Sequence, residues 1–358
     1  MTRGNNRVIR DPVPATLYLS RARLFMNINS LVMMKRIAVI LVAHGEAETD
    51  SFFENFSMIR HTLAHAGEVM KLPRPLQLVA SLLGGVKNKV TFRAQKYRSP
   101  QNRITRQQAS LLQEKLNRVM IPHQTNVEVY SAFHATPPFV KEIVKQTSGH
   151  DLQLLVSMSP IDNRLTSGNL QQLSAQCLPV NGQRRPVVVH GFWKNAELRK
   201  VYLDHLFFHG KTGDGSALVL TFHGTLVKDT KGDIPMFHTG LKEMEEMGST
   251  LRNAILIDPR NGYDTIEIAY LNHDVGGTWT KPSLAEALNA LSSRGIRDVD
   301  IFSCGYFSDG TETILHAQKE AAASSVKTIR FLPCINDSEA FADFLAEKVA
   351  AVVASESP

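Results

Sequence analysis

The sequence predicts an α/β protein of two similar domains, each a parallel sheet flanked by helices, facing a central cleft. Three observations carry this expectation. Two near copies of one pattern, IAVILVAHG at Ile37–Gly45 and SALVLTFHG at Ser216–Gly224, each run an unbroken apolar stretch into His–Gly. Such runs read as parallel strands buried on both faces. After each copy, strand-like and helix-like segments alternate regularly, which specifies a parallel, doubly wound sheet with right-handed crossovers. Finally, GKTGDG at Gly210–Gly215 is the sharpest break in the chain, and the scheme restarts beyond it. We divide the chain into an N-terminal extension (residues 1–34), an N-terminal α/β domain (35–190) and a C-terminal α/β domain (191–358).

Taken in order, the strand Ile37–Ala43 ends at His44–Gly45, and an amphipathic helix follows over Ser51–Ala66, with Phe52, Phe53, Phe56, Ile59 and Leu63 at helical spacing. Residues 67–98 lack a sustained period and contain Pro73, Pro75, Gly84 and Gly85, so they read as a flap or a solvated insertion. Ser99–Pro100 supplies turn chemistry, after which Thr105 can cap a helix whose apolar face is Ala109, Leu112, Leu116 and Met120. Strands at Val127–Ala132, Leu152–Ser157 and Pro186–Val189 then alternate with helices at Pro137–Gln146, Asn169–Gln176 and Asn195–Phe208. In the second half, strands are expected at Ala217–Phe222, Thr265–Tyr270, Asp298–Phe302 and Thr328–Phe331. The helices between and after them fall near Met236–Leu256, Ser283–Ser293, Asp309–Ala323 and Glu339–Val353. The result is a pair of Rossmann-like units.

Bulk properties narrow the function classes. With 358 residues, 43% apolar and 21% charged, the chain has ordinary globular composition and can bury a sizeable core. A formal charge of +6 without long Lys/Arg blocks argues against nucleic acid and suits an anionic small molecule or a lipid surface. Cys177, Cys304 and Cys334 are widely separated and show no CxxC spacing, so buried thiols are expected rather than a zinc or iron–sulfur site. No run reaches the 18 or so apolar residues a spanning helix requires. We expect a cytoplasmic protein, with any membrane contact peripheral. Residues 1–34 hold five Arg and a single acid, Asp11, a leader-like composition, although Met33–Met34–Lys35 just before the first strand reads as an authentic start.

The chemistry is expected where the strands end. Open α/β sheets bind ligands at the carboxyl ends of their strands, so His223 is the first candidate, against the plain alternative that a strand-end His only satisfies a hydrogen bond. Some ninety residues later, SCGYFSDGTETI (Ser303–Ile314) delivers Glu312 on the opening turn of a helix. Glu312, His316 and Glu320 recur every four residues and share one helix face. On an ordinary surface helix this would be a solvated stripe. Below a strand-end carboxylate it makes a ladder able to strip water from a metal ion, and the imidazole–carboxylate pair can move protons or bind a divalent cation.

These segments together resemble the ferrochelatases, which insert Fe²⁺ into a porphyrin, and the likeness covers about residues 35–350. TFHG at Thr221–Gly224 is similar to the family's Ser/Ala-x-His-Gly/Ser signature, its essential His falling on His223. CGYFSDGTETI at Cys304–Ile314 resembles Gly-Phe-x-x-Asp-His-Leu-Glu-Thr-Leu, its active-site Glu falling on Glu312. SPQNRITRQQA at Ser99–Ala109 is similar to Ser-Pro-Leu-x-x-Ile-Thr-x-x-Gln-Ala, and FLPCIND at Phe331–Asp337 to a closing Pro-x-Leu-Asn. Trp279 with Pro282 and Thr166–Ser167–Gly168 resemble two further short motifs. The likeness implies catalysis by His223 and Glu312, and metal handling by His223, Glu312, His316 and Glu320. It implies porphyrin contacts from His44, Arg98, Ser99, Arg103, His134, Trp279, Tyr306 and Phe307, the aromatics forming tight walls or else packing in the core. Arg98, Ser99 and Arg103 would meet the ring's propionates. Porphyrin and ferrous iron are then substrates. No cofactor is expected to be permanently bound, and without a C-terminal Cys cluster no iron–sulfur centre is expected.

Three departures mark a divergent member. The family's His two residues before its Glu is Gly310 here, its Gly-Gly before Ser-Pro is Lys96–Tyr97, and His44 occupies the end of the first strand, where a Leu or Tyr before Gly-Thr-Pro is common. Two other readings stay open: a chelatase acting on a sirohydrochlorin-type ring, favoured by His44 with His223, and a non-catalytic tetrapyrrole-binding protein, favoured by Gly310 and the lost glycines. Sequence does not fix the oligomeric state.

Overall fold

The structure is a computed structural model that describes residues 34–67, 69, 72–120, 124–177, 184–210, 213, 215–273 and 276–356. The extension, except Met34, lies outside the described residues. The first half runs β1 (Lys35–Ala43), α1 (Phe52–His65), α2 (Arg74–Gln95), α3 (Gln101–Met120), β2 (Thr125–Phe133), α4 (Val140–Gln146), β3 (Leu152–Ser157), α5 (Ser167–Gln176) and β4 (Val187–Val189). The second half runs α6 (Ala196–His209), β5 (Ser216–His223), β6 (Leu226–Lys228), α7 (Leu241–Ile257), β7 (Thr265–Leu271) and β8 (Thr278–Trp279). It closes with α8 (Leu284–Ser293), β9 (Asp298–Phe302), a π-helical turn (Glu312–His316) leading into α9 (Ala317–Ala321), β10 (Thr328–Leu332) and α10 (Glu339–Ser355).

The expected doubling is literal. One four-stranded parallel sheet has the order β2-β1-β3-β4 and the other β7-β5-β9-β10, the same arrangement twice. In both, the opening strand lies in the middle with its successors on opposite sides, so β1 and β5 are the points where the winding reverses. That is where an open α/β sheet leaves a crevice. Their apolar runs are explained by burial: β1 from Ile37 onward and β5 up to Phe222 are fully enclosed. A small antiparallel pair, β6 with β8, is appended beside the second sheet and carries Trp279.

The two halves share one core. Leu112 and Leu116 of α3, Leu198 and Tyr202 of α6, Leu220 and Phe222 of β5, and Phe341, Leu345 and Val349 of α10 belong to a single buried cluster. Polar pins reinforce it. The buried Gln108 of α3 donates from Nε2 to the carbonyls of Phe307 (3.3 Å) and Asn336 (2.8 Å) in the second half. Tyr202 donates to the Cys304 carbonyl at 2.9 Å.

Three expectations about elements need correction. Residues 67–98 are chiefly the helix α2: Gly84 and Gly85 are not breaks but close contacts, since a Cβ at Gly84 would lie 2.7 Å from Ile59 and one at Gly85 3.2 Å from Phe52 and Phe56. The helix α3 starts at Gln101, directly after Ser99–Pro100, and Thr105 sits inside it, its hydroxyl donating back to the Gln101 carbonyl at 3.0 Å. The helix expected near Met236 begins only at Leu241, and Ile234 and Met236 are exposed in the preceding loop.

Replacing Gln108 by Met keeps the volume but leaves two buried carbonyls without their donor. Chemical denaturation should show a loss of roughly 1–3 kcal/mol, with the secondary structure unchanged by circular dichroism.

Candidate metal centre

The strand β5 carries His223 to its tip, where it is exposed to the crevice. Its Nδ1 lies 2.6 Å from the Gly224 carbonyl oxygen, a contact that needs a proton on Nδ1. His223 Nε2 is 3.0 Å from Nε2 of His273, which follows β7 in the neighbouring position of the sheet. The loop bearing His273 is fixed by Asn272, whose Nδ2 donates to the Thr280 carbonyl at 2.8 Å and whose Oδ1 accepts from the Thr280 hydroxyl at 3.0 Å. Glycine at 224 is required by this packing, because a Cβ there would fall 1.8 Å from Asn272 Oδ1.

Glu312 enters from the other side of His273. Its Oε1 is 3.8 Å from His273 Nε2, and its Oε2 is 2.7 Å from Nδ1 of His316. The remaining nitrogen of His316, Nε2, is 3.1 Å from Glu320 Oε1, and Glu320 Oε2 accepts from the Ala285 N–H at 3.0 Å, at the start of α8. The expected ladder is therefore a continuous hydrogen-bonded chain from a helix start to the crevice. The segment is wound as a π-turn over Glu312–His316 rather than as an α-helix, a form that often marks functional positions. His273, Glu312 and His316 place ligand atoms within 4.8 Å of one another, the spacing of a metal-binding set.

Electrostatics follow the geometry. His316 bonds to Glu312 and Glu320, and these contacts outweigh burial to raise its pKa from the ordinary 6.5 to about 9. Burial would push Glu312 up, but the His316 bond and the nearby His273 and His223 imidazoles prevail and bring it to about 2. One imidazolium thus sits between two carboxylates.

The first half provides the facing wall. His44 lies just past β1, open to the crevice, with Nε2 3.1 Å from the Thr62 hydroxyl. Desolvation by the surrounding protein, then repulsion from His65 and His223, lowers its pKa to about 4, so the ring is neutral at pH 7. The charges of His223, Glu312 and His273 also act on it, so His44 lies near enough to the metal-binding set to feel its charge. Behind it, His65 stacks on His134 with ring centroids 4.0 Å apart.

The structure brings together His223, Glu312, His316 and Glu320, with Tyr306 (6.4 Å from the His223 ring centre) and Trp279, which packs edge-on against His273 at 5.6 Å, alongside. Two of the expected porphyrin contacts fall elsewhere. Phe307 is a core residue, 1% exposed and packed on Phe192 and Phe341, and gives no wall to the crevice. Ser99 is buried and its hydroxyl donates to the Glu46 carboxylate, so it is committed within the protein. His134 stacks on His65, and Arg98 and Arg103 are exposed, Arg103 bonding Gln107 at 2.8 Å. Sequence reasoning missed His273 and Glu46. The signal for His273 was present, as YLNH ends a third apolar strand in a histidine; nothing local distinguishes Glu46.

Comparison with known proteins adds an independent line. The family model described as Ferrochelatase matches residues 36–352. A ferrochelatase of Dechloromonas aromatica is 24% identical over 260 residues, 70% of this chain and 68% of that protein. One of Sulfurimonas denitrificans is 23% identical over 334 residues, covering 88% and 98%. Among solved structures, CbiX, described as the terminal enzyme for biosynthesis of sirohaem in denitrifying bacteria, superposes with a TM-score of 0.50 at 10% identity, over 88% of this chain and 99% of that one. At that identity the likeness speaks to the fold alone.

A folded-state pKa above the ordinary value makes the His316 charge a source of stability that is complete below pH 6.5 and drains as pH rises to about 9. Thermal unfolding of the metal-free protein should therefore show the parent more stable than His316→Gln at pH 6, with the difference closing as pH approaches 9. A difference that widens with pH would contradict the assignment.

Proposed function

This chain belongs to the ferrochelatase family, and from that premise we propose that it inserts Fe²⁺ into a porphyrin, protoporphyrin IX or coproporphyrin III, as a step of haem biosynthesis. The observation that carries the reading is the meeting of His223, His273, Glu312 and His316 at one strand-end crevice. Insertion requires shedding of the ion's water, loss of two pyrrole protons and bending of a flat ring toward the ion. The carboxylate and imidazole ligands of Glu312, His316 and His273 suit a borderline divalent cation. The Glu320–His316–Glu312 chain offers that cation a graded set of donors and gives displaced protons a route out.

For the ring protons, His223 is the acceptor in this scheme. Its Nδ1 is committed to the Gly224 carbonyl, so a ring proton would be taken by Nε2, which here meets His273 Nε2 at 3.0 Å and would have to exchange that contact for the substrate. Trp279 and Tyr306 flank this wall and His44 stands on the other, leaving the ring between them. His44 also supports a second reading, a chelatase for a sirohydrochlorin-type ring, because it gives the crevice imidazoles on both walls. A tetrapyrrole carrier on the same scaffold is the third.

Absorption spectroscopy separates the three. Anaerobic mixing with protoporphyrin or coproporphyrin and Fe²⁺, Zn²⁺ or Co²⁺ should convert the free-base spectrum to the metallated one with turnover. Removing the proton acceptor in His223→Ala, or the carboxylate in Glu312→Gln, should lower kcat by about 10²–10⁴-fold with porphyrin KM much less affected. Metallation of sirohydrochlorin but not of porphyrins would select the second reading, and tight porphyrin binding with no metallation the third.

A further inference from the structure

Glu46 belongs to none of the motifs above, yet it is the acid that ties the two halves together at the metal centre. It stands beyond the tip of β1, 8% exposed, and its main chain is pinned from both sides by the buried Asn102 of α3. Its N–H donates to Asn102 Oδ1 and its carbonyl accepts from Asn102 Nδ2, each at 2.9 Å. From this fixed base the side chain crosses to the second half. Glu46 Oε2 accepts from the Thr311 N–H and from the Thr311 hydroxyl, both at 2.9 Å, and from the Ser99 hydroxyl.

Thr311 immediately precedes Glu312, so these bonds hold the backbone from which that carboxylate projects. Gly310 completes the arrangement. A Cβ there would lie 3.0 Å from both Glu46 oxygens and 3.2 Å from its Cδ, so a side chain at 310 would press on this carboxylate and force it to shift. The missing imidazole at this position is thus not an empty gap, since an acid from the opposite half fills it.

We infer that Glu46 is a positioning residue for the metal centre, clasping Thr311 so that Glu312 meets His273 and His316, and that Gly310 is glycine to admit it. The inference rests on the metal-centre reading, deepening it with a residue that touches neither ion nor ring. Groups that orient metal ligands from behind are worth about 10–100-fold in metal affinity.

The test is a Co²⁺ titration of the metal-free full chain, followed by visible d–d absorption and with no porphyrin present. Glu46→Ala and Gly310→Val should each weaken Co²⁺ binding by about 10–100-fold and alter the band, and in the Glu46→Ala background Gly310→Val should cost nothing further. Glu46→Gln retains an acceptor oxygen in the same place and should rescue both affinity and band, which a loss of general stability would not allow. Parent-like binding in both Glu46→Ala and Gly310→Val, or Glu46→Gln as impaired as Glu46→Ala, would overturn the clasp alone. A parent chain that gives no Co²⁺ band would overturn the metal centre and the clasp with it.

Discussion

One imidazolium held between two carboxylates sets the character of the crevice. His316 is charged and directs both imidazole protons to carboxylate oxygens, one on Glu312 and one on Glu320. Every partner in such a set is satisfied without metal, and on the proposed reading a divalent cation competes for the same oxygens and nitrogens. Binding therefore exchanges protons for metal. On the proposed reading that exchange suits the reaction, because a porphyrin must release two protons as it takes the ion, and the same chain can pass them on.

The chain can act this way only if its ends are held while the ligands exchange. Glu320 is tied to the start of α8, and the loop before Glu312 is tied by Asn336, which accepts from the Asp309 N–H and donates to the Asp309 carboxylate. Asn336 is in turn reached from the first half by Gln108, and Thr311 by Glu46. The helix pair α3 and α10 buries the apolar seam behind these bonds. Polar contacts at the crevice thus rest on a shared hydrophobic core, which on the proposed reading lets the walls bend a macrocycle without giving way themselves.

Much of this was legible in the chain. The two strand–His–Gly copies fixed both switch points, because a buried parallel strand has no choice but an apolar run and the crevice lies where that run stops. The spacing of Glu312, His316 and Glu320 revealed a shared face because helical periodicity is local. What failed to show was set by distant partners. Gly84 and Gly85 look like breaks unless α1 is known to press on them, and Phe307 looks like a binding aromatic unless Phe192 and Phe341 are known to enclose it. Ser99 resembles a propionate hydroxyl until Glu46 is seen beside it, and the function of Gly310 cannot be read at all from its own half of the chain.

Repetition of one topology has produced two unlike walls. In the first half His44, His65 and His134 all have lowered pKa values, chiefly because burial disfavours their charge, with neighbouring imidazoles adding to this at His44 and His134 and Arg164 adding to it at His65. In the second half carboxylates reverse the effect, so His316 is held charged and the wall as a whole is anionic. On the proposed reading a cation is drawn to the carboxylates of the second wall, and the planar macrocycle lies against the first. On that reading the direction of insertion is built into the difference between the two walls, with the ion on the side of Glu312 and the ring between it and His44, and what a symmetric fold leaves undecided follows from where its acids fall.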